Sequence, residues 1–264
     1  MNTLQAILLG IVQGITEFLP ISSSGHLQIF KEILEVELEE NLTFDVTLHA
    51  ATVLSTIVVL WSEVMRLLKG VFSRRFTPEQ AYVLKILISM IPIGIVGLTL
   101  KDRIEAMLGA PWILYAVGLM LLLTAALLAF AYYAKPRQKE EISYRDAFII
   151  GIAQACAALP GLSRSGTTIA TGLLLGNKKE SVAQFSFLMV LAPILGEMLL
   201  EALSGKMTAS VETAPLLAGF AAAFVTGCLA CRLMIGIVRK GRLIWFAVYC
   251  AIAGTVSIAS YYYL

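Results

Sequence analysis

Two apolar stretches of this chain are broken by the same kind of polar turn, and that limits the folds open to it. Residues 4–35 are interrupted at Pro20 and Ser22-Ser23-Ser24-Gly25, and residues 145–176 at Pro160-Gly161 and Ser163-Arg164-Ser165-Gly166. Each half is too short to cross a bilayer core, which takes about 20 helical residues. In lipid every backbone polar group needs a partner within the protein, so such broken stretches read as re-entrant helical hairpins. Around them lie six longer apolar runs, at about 44–62, 82–100, 111–134, 181–203, 213–235 and 243–264. Composition agrees: 14% of residues are charged, against about 25% in a soluble domain. The expected fold class is an all-α polytopic membrane protein, with six transmembrane helices plus two re-entrant helical hairpins. It forms a single membrane domain over residues 1–264.

Loop charges orient these spans. Arg66, Lys69, Arg74 and Arg75 lie in 63–81, Lys135, Arg137, Lys139 and Arg145 in 135–145, and Arg232, Arg239, Lys240 and Arg242 in 232–242. By the positive-inside rule these three loops are cytoplasmic. The segment 31–43 holds five glutamates against one lysine, and 204–212 holds only Lys206, so both read as external. Six spans thread consistently only if hairpin 4–35 enters from outside and hairpin 145–176 from inside, with the C-terminus outside.

A shift of 141 residues without gaps brings out an internal repeat. Ala6, Gly10, Ile11, Gln13, Ser22, Ser24 and Gly25 fall on Ala147, Gly151, Ile152, Gln154, Ser163, Ser165 and Gly166. Repeat 1 covers about 1–134 and repeat 2 about 142–264, each one hairpin plus three spans. Three is odd, so the second repeat is inverted relative to the first. Inverted repeats with broken helices place a site near the midplane, where the repeats meet.

The polar groups of the hairpins are the candidate site. Glu17 and Arg164 are ions inside apolar elements, and such residues are functional candidates by default. Each second half-helix presents free N–H groups and a partial positive charge at its start, a natural phosphate site. Arg164 adds a fork that matches phosphate oxygens. The repeats differ: Glu17 aligns with Ala158, Arg164 with Ser23, and His26 with Thr167. One hairpin thus supplies a carboxylate and an imidazole, the other the cation. Glu17 with hydroxyl and phosphate oxygens suits Mg²⁺ or Ca²⁺, His26 suits acid–base work, and Ser22 or Ser23 suits a nucleophile beside it.

Plainer roles are open to the same residues. Glu17 and Arg164 would serve as an ion pair bridging the repeats. His26 would serve as a cap, and the serines as partners for broken backbone. Gln13 and Gln154 would serve as interhelical glue. His49, at the head of a span, reads as structural rather than catalytic. Cys228 and Cys231 form a CxxC, but with no second ligand pair they read as small packing residues. There is no basic patch of the kind that binds nucleic acid, and the N-terminal stretch lacks the basic region and cleavage site of a signal peptide.

The stretch Gln13-Gly-Ile-Thr-Glu17-Phe-Leu-Pro-Ile-Ser22-Ser23-Ser24-Gly25-His26 resembles the first signature of the undecaprenyl-pyrophosphate phosphatases of the bacitracin-resistance family. Pro160-Gly-Leu-Ser163-Arg164-Ser165-Gly-Thr-Thr168 resembles the second, and similar residues continue through Phe44-Asp-Val-Thr-Leu-His49 and Phe185-Ser-Phe-Leu. The resemblance implies an enzyme of the bacterial inner (plasma) membrane, opening to the external face. It would recycle the cell-wall lipid carrier by hydrolysing its pyrophosphate with a divalent cation, Mg²⁺ or Ca²⁺. It implies Glu17, Ser23, His26 and Arg164 as catalytic residues. Phosphate binding would fall to Ser22, Ser24, Ser163, Ser165, Gly166 and Thr168, and the metal to Glu17 and Gln13. Gln13 stands in a first slot that is often acidic, so a mechanism needing two carboxylates does not fit this chain. The expected partners are a polyprenyl pyrophosphate lipid and the bilayer, with homo-oligomers left open. A lipid transporter or flippase is the alternative, and an anion channel a weaker one that leaves Glu17 and His26 unexplained.

Overall fold

The computed structural model describes residues 1–36, 42–134, 139–203 and 213–263, and among these every regular element is a helix. In chain order they are α1 (Thr3–Phe18), α2 (Ser23–Ile33), α3 (Leu42–Val59), α4 (Trp61–Val71), α5 (Pro78–Thr99), α6 (Lys101–Leu108) and α7 (Ile113–Tyr133). Then follow α8 (Tyr144–Cys156), α9 (Arg164–Leu174), α10 (Lys179–Met189), α11 (Leu191–Leu203), α12 (Thr213–Lys240) and α13 (Ile244–Tyr263). The loop 204–212 and parts of the loops 31–43 and 135–145 lie outside the described residues.

Helix ends follow local chemistry. Asn2 caps α1 by accepting from Gln5 N–H, while the Gln5 side chain accepts from Asn2 N–H. Thr77 and Gln80 make the same reciprocal box at α5, with Pro78 in the first turn, where its missing N–H costs nothing. Leu19, before Pro20, is pushed into extended backbone at φ −72° and ψ 143°, which ends α1.

Four helices are each long and apolar enough to cross a membrane: α5, α7, α12 and α13. Helices α3 and α4 pass together but bend by 82° at Leu60, which turns the amphipathic α4 away from the line of the span. The run expected as one span over 181–203 is two helices, α10 and α11, separated at Val190. Pro193 accounts for the break: it has no N–H to offer the Met189 carbonyl four residues back, and its ring crowds that carbonyl.

Small residues set the closest approaches. Helix α1 runs along α12, with Gly14 against Ala223, Thr226 and Gly227; α8 runs along α5, with Gly151 on the Ser89 backbone; α7 packs on α13. A Cβ on Gly14 would overlap the Thr226 hydroxyl, so the α1–α12 seam needs glycine there. This is the small-residue packing that lets helices meet in lipid. Gly14→Leu is therefore expected to destabilise the protein by at least about 1–3 kcal/mol, the usual cost of overpacking. Gly94→Leu is the control, because nothing lies within 4 Å of its Cβ position. Thermal melting in detergent checks both, and equal melting temperatures would contradict the seam.

Candidate active site

The second half-helices begin at equivalent places, α2 at Ser23 and α9 at Arg164, each capped by the serine before it. Ser22 Oγ accepts from Gly25 N–H at 3.2 Å, and Ser163 Oγ from Gly166 N–H at 3.1 Å. Capping consumes one orphan donor and leaves the first N–H groups of each helix facing the break. Ser22 sits at φ 71°, a left-handed conformation that costs a non-glycine residue on the order of 1–3 kcal/mol. It is held there because its carbonyl accepts from His26 Nδ1 at 2.8 Å while its hydroxyl caps α2. The two breaks touch: Ser165 Oγ donates to the Leu19 carbonyl at 3.1 Å, and Gly25 lies against Gly161, whose φ is 91°.

Between the breaks lies Glu17, its side chain 5% exposed. Oε2 accepts from Ser23 Oγ at 2.7 Å and from Gln13 Nε2 at 2.9 Å, and Oε1 accepts from the Arg164 guanidinium. One carboxylate thus gathers a hydroxyl and an amide from its own hairpin and a cation from the other. A carboxylate buried this far from water needs such donors in place of its hydration. A pocket with about 340 Å³ of space, open solvent included, adjoins it; Glu17, Arg164, Ser165, Thr52, Thr56 and Ser186 supply its polar wall.

The family model described as "Bacitracin resistance protein BacA" matches residues 6–256, so both breaks and every residue just named fall inside it. This chain belongs to the BacA family. It is 59% identical to an undecaprenyl-diphosphatase of Parabacteroides distasonis, with 98% of each chain covered. Identity to one of Bacteroides fragilis is also 59%, over 98% of each chain. An undecaprenyl-diphosphatase of Methanosphaera stadtmanae is 36% identical over 98% of each.

Within this BacA-family site the expected residues separate into groups. Glu17, Ser23, Arg164 and Gln13 form one hydrogen-bonded cluster. Ser22 and Ser163 are caps; Ser24 is exposed, 3.3 Å from Ser22 Oγ, and Ser163 and Ser165 hydroxyls lie 3.5 Å apart. Thr168 Oγ1 lies 2.6 Å from Ser186 Oγ, which lines the pocket. Gly166 is buried against Pro20. His26 turns the other way. Its Nδ1 donates to Ser22, which leaves Nε2 to accept from the Tyr249 hydroxyl at 2.7 Å. The two rings stack at 5.6 Å.

Of two further side chains at this BacA-family site, His49 reads as structural from the sequence and Tyr249 was not singled out. His49 Nδ1 lies 3.1 Å from Gln13 Nε2 and 3.8 Å from Glu17 Oε2, against the Gln13 side of the cluster. It carried the signal that marked Glu17, a titratable group in an apolar run. Tyr249 carried none, because aromatic residues are ordinary in such helices.

Gln13 and Glu17 are fit to hold a cation. Gln13 Oε1 is buried without a hydrogen-bond partner, and an orphaned carbonyl oxygen beside a carboxylate is what a hard cation uses. Among the described residues no three His, Cys, Asp or Glu side chains gather as a metal site, so a cation held here would take the Gln13 amide as a donor.

Proposed function

We propose that this chain is an undecaprenyl-diphosphate phosphatase. It would hydrolyse undecaprenyl pyrophosphate to undecaprenyl phosphate and inorganic phosphate, and so recycle the cell-wall lipid carrier. The observation that carries the reading is Glu17 accepting from Ser23 and Arg164 at once. A carboxylate that accepts from a serine hydroxyl is already placed to take its proton. Ser23 Oγ attacks the terminal phosphorus, its proton passes to Glu17 Oε2, and the anhydride P–O bond breaks to release the lipid monophosphate. The Glu17 proton passes to the departing lipid monophosphate; the regenerated carboxylate then takes a proton from the water that attacks the phosphoserine, and returns it to Ser23 Oγ as inorganic phosphate leaves. Arg164 and the first N–H groups of α2 and α9 hold the phosphate oxygens as charge develops on them. His26 fixes the strained Ser22–Ser23 turn from behind and so aims the nucleophile. Glu17 and Gln13 would hold a divalent cation, Mg²⁺ or Ca²⁺, which would add charge neutralisation at the phosphate.

The reading includes six spans and two re-entrant hairpins in an inverted repeat. It rests on α2 and α9 coinciding under the 141-residue shift, and on α1 packing on α12 as α8 packs on α5. The site would open to the external face of the inner membrane. Single cysteines at Arg74 and Ser204 are expected to react with impermeant reagents from opposite sides; labelling from the same side would contradict the inversion.

The direct test is phosphate release from a long-chain prenyl pyrophosphate in detergent. Wild type is expected to release phosphate with divalent cation and to stop in excess EDTA. The duplicated α1–α12 and α8–α5 packing also suits a lipid transporter. Lipid movement without phosphate release would favour that reading.

A further inference from the structure

The cluster around Glu17 contains an imidazole that the proposed chemistry does not use. Gln13 Nε2 has two hydrogens, and both point at lone pairs: Glu17 Oε2 at 2.9 Å and His49 Nδ1 at 3.1 Å. His49 Nδ1 therefore faces the cluster as an acceptor, with its proton on Nε2. Two lone pairs converging on one point are what a cation also requires. Meanwhile Gln13 Oε1 is buried and has no partner. A half-turn of the amide would bring that oxygen to the place now held by Nε2 and would strand no bond that Oε1 makes.

The three donor atoms then outline a triangle with edges of 2.9, 3.1 and 3.8 Å. Its corners lie about 1.9 Å from a common centre, so a small divalent cation bonded at about 2.1 Å fits just off its plane. The His49 side chain is one-third exposed (33%), and Glu17 lines the pocket, so the site can be reached.

We propose that His49 completes a three-ligand cation site with Glu17 and Gln13. The structure assigns a mixed donor set to it: one carboxylate oxygen, one amide oxygen and one imidazole nitrogen. This deepens the phosphatase reading and rests on it for the role of the cation. A nitrogen ligand changes the metal preference. Ca²⁺ takes six to eight oxygens at 2.3–2.6 Å, whereas an imidazole nitrogen favours the first-row transition ions, of which Mn²⁺ binds N/O sites most weakly. The site therefore favours a first-row transition ion over Ca²⁺, and Mn²⁺ is the probe for it.

The test is Mn²⁺ binding by the purified full-length protein in detergent, read from the loss of the free-Mn²⁺ electron paramagnetic resonance signal. Wild type is expected to bind one Mn²⁺, with Ca²⁺ at the same concentration displacing little of it. His49→Ala is expected to weaken binding by at least about tenfold, as for loss of a ligand or its support. His49→Gln, which restores an oxygen donor, is expected to recover part of the affinity and to narrow the preference over Ca²⁺. Melting curves establish that both variants are folded. Folded His49→Ala that titrates like wild type would overturn the proposal, as would equal competition by Ca²⁺. Phosphate release measured on the same samples separates the two readings. Phosphate release by wild type that shows no Mn²⁺ binding in the titration overturns the cation site and leaves the phosphatase standing. Mn²⁺ binding that needs His49, without release, supports the site and removes the phosphatase.

Discussion

Glu17→Gln is expected to slow phosphate release by about 10²–10⁴-fold, the range for loss of a general base. The amide matches the carboxyl in size, and its oxygen can still accept from Ser23 or Arg164, so the hairpin should keep its shape. It cannot take the Ser23 proton. Glu17→Ala should be as slow and also less stable, because it takes the carboxylate away from a guanidinium that is only 27% exposed. Breaking a fully buried pair costs up to about 3–5 kcal/mol. The exposed quarter of Arg164 and its hydration lower that figure here. Phosphate release and melting temperature, measured together, distinguish the two variants. Wild-type release by folded Glu17→Gln would remove Glu17 as the base and recast it as an ion-pair partner alone.

Arg164→Ala is expected to lower phosphate release by about 10²–10³-fold, as for loss of one donor to a developing oxyanion. Arg164→Lys is the sharper variant. Lysine keeps the charge but not the planar fork, so it can balance Glu17 yet cannot hold two phosphate oxygens in register. Its release should stay closer to Arg164→Ala than to wild type, while its melting temperature stays closer to wild type. Near-normal release by Arg164→Lys would mean that only the charge matters. In the double variant Glu17→Gln/Arg164→Ala the losses should not multiply, since each residue acts through the geometry the other maintains.

Much of this site was legible in the sequence because it is written in local chemistry. Pro20 and Pro160 each stand just past the end of an apolar half-helix, beside a serine- and glycine-rich turn that marks the break. Ser22 and Ser163, each followed three residues later by glycine, are cap signals on their own. Glu17 and Arg164 stand out because an ion inside an apolar run has a cost that composition alone reveals. The break at Val190 was also written locally, in Pro193, but a continuous apolar run masks a proline when hydropathy is averaged over the whole span. His49 carried the same polar-in-apolar signal as Glu17 and was discounted because a single position at a helix head does not say which way it faces.

The amino-acid sequence by itself determined the membrane-type composition, the two broken stretches and the residues able to bind phosphate. These depend only on side-chain chemistry and on neighbours within a few positions. Tertiary structure decided which of those residues meet. Ser23 is six residues from Glu17, His49 is 36 from Gln13, Arg164 is 147 from Glu17, and Tyr249 is 223 from His26. Helical periodicity specifies the face a residue occupies but not the partner that face will find. Close contact between small residues, such as Gly14 on α12 and Gly151 on α5, draws the two breaks together. Only then does one carboxylate gather a serine, an amide, an imidazole and a guanidinium.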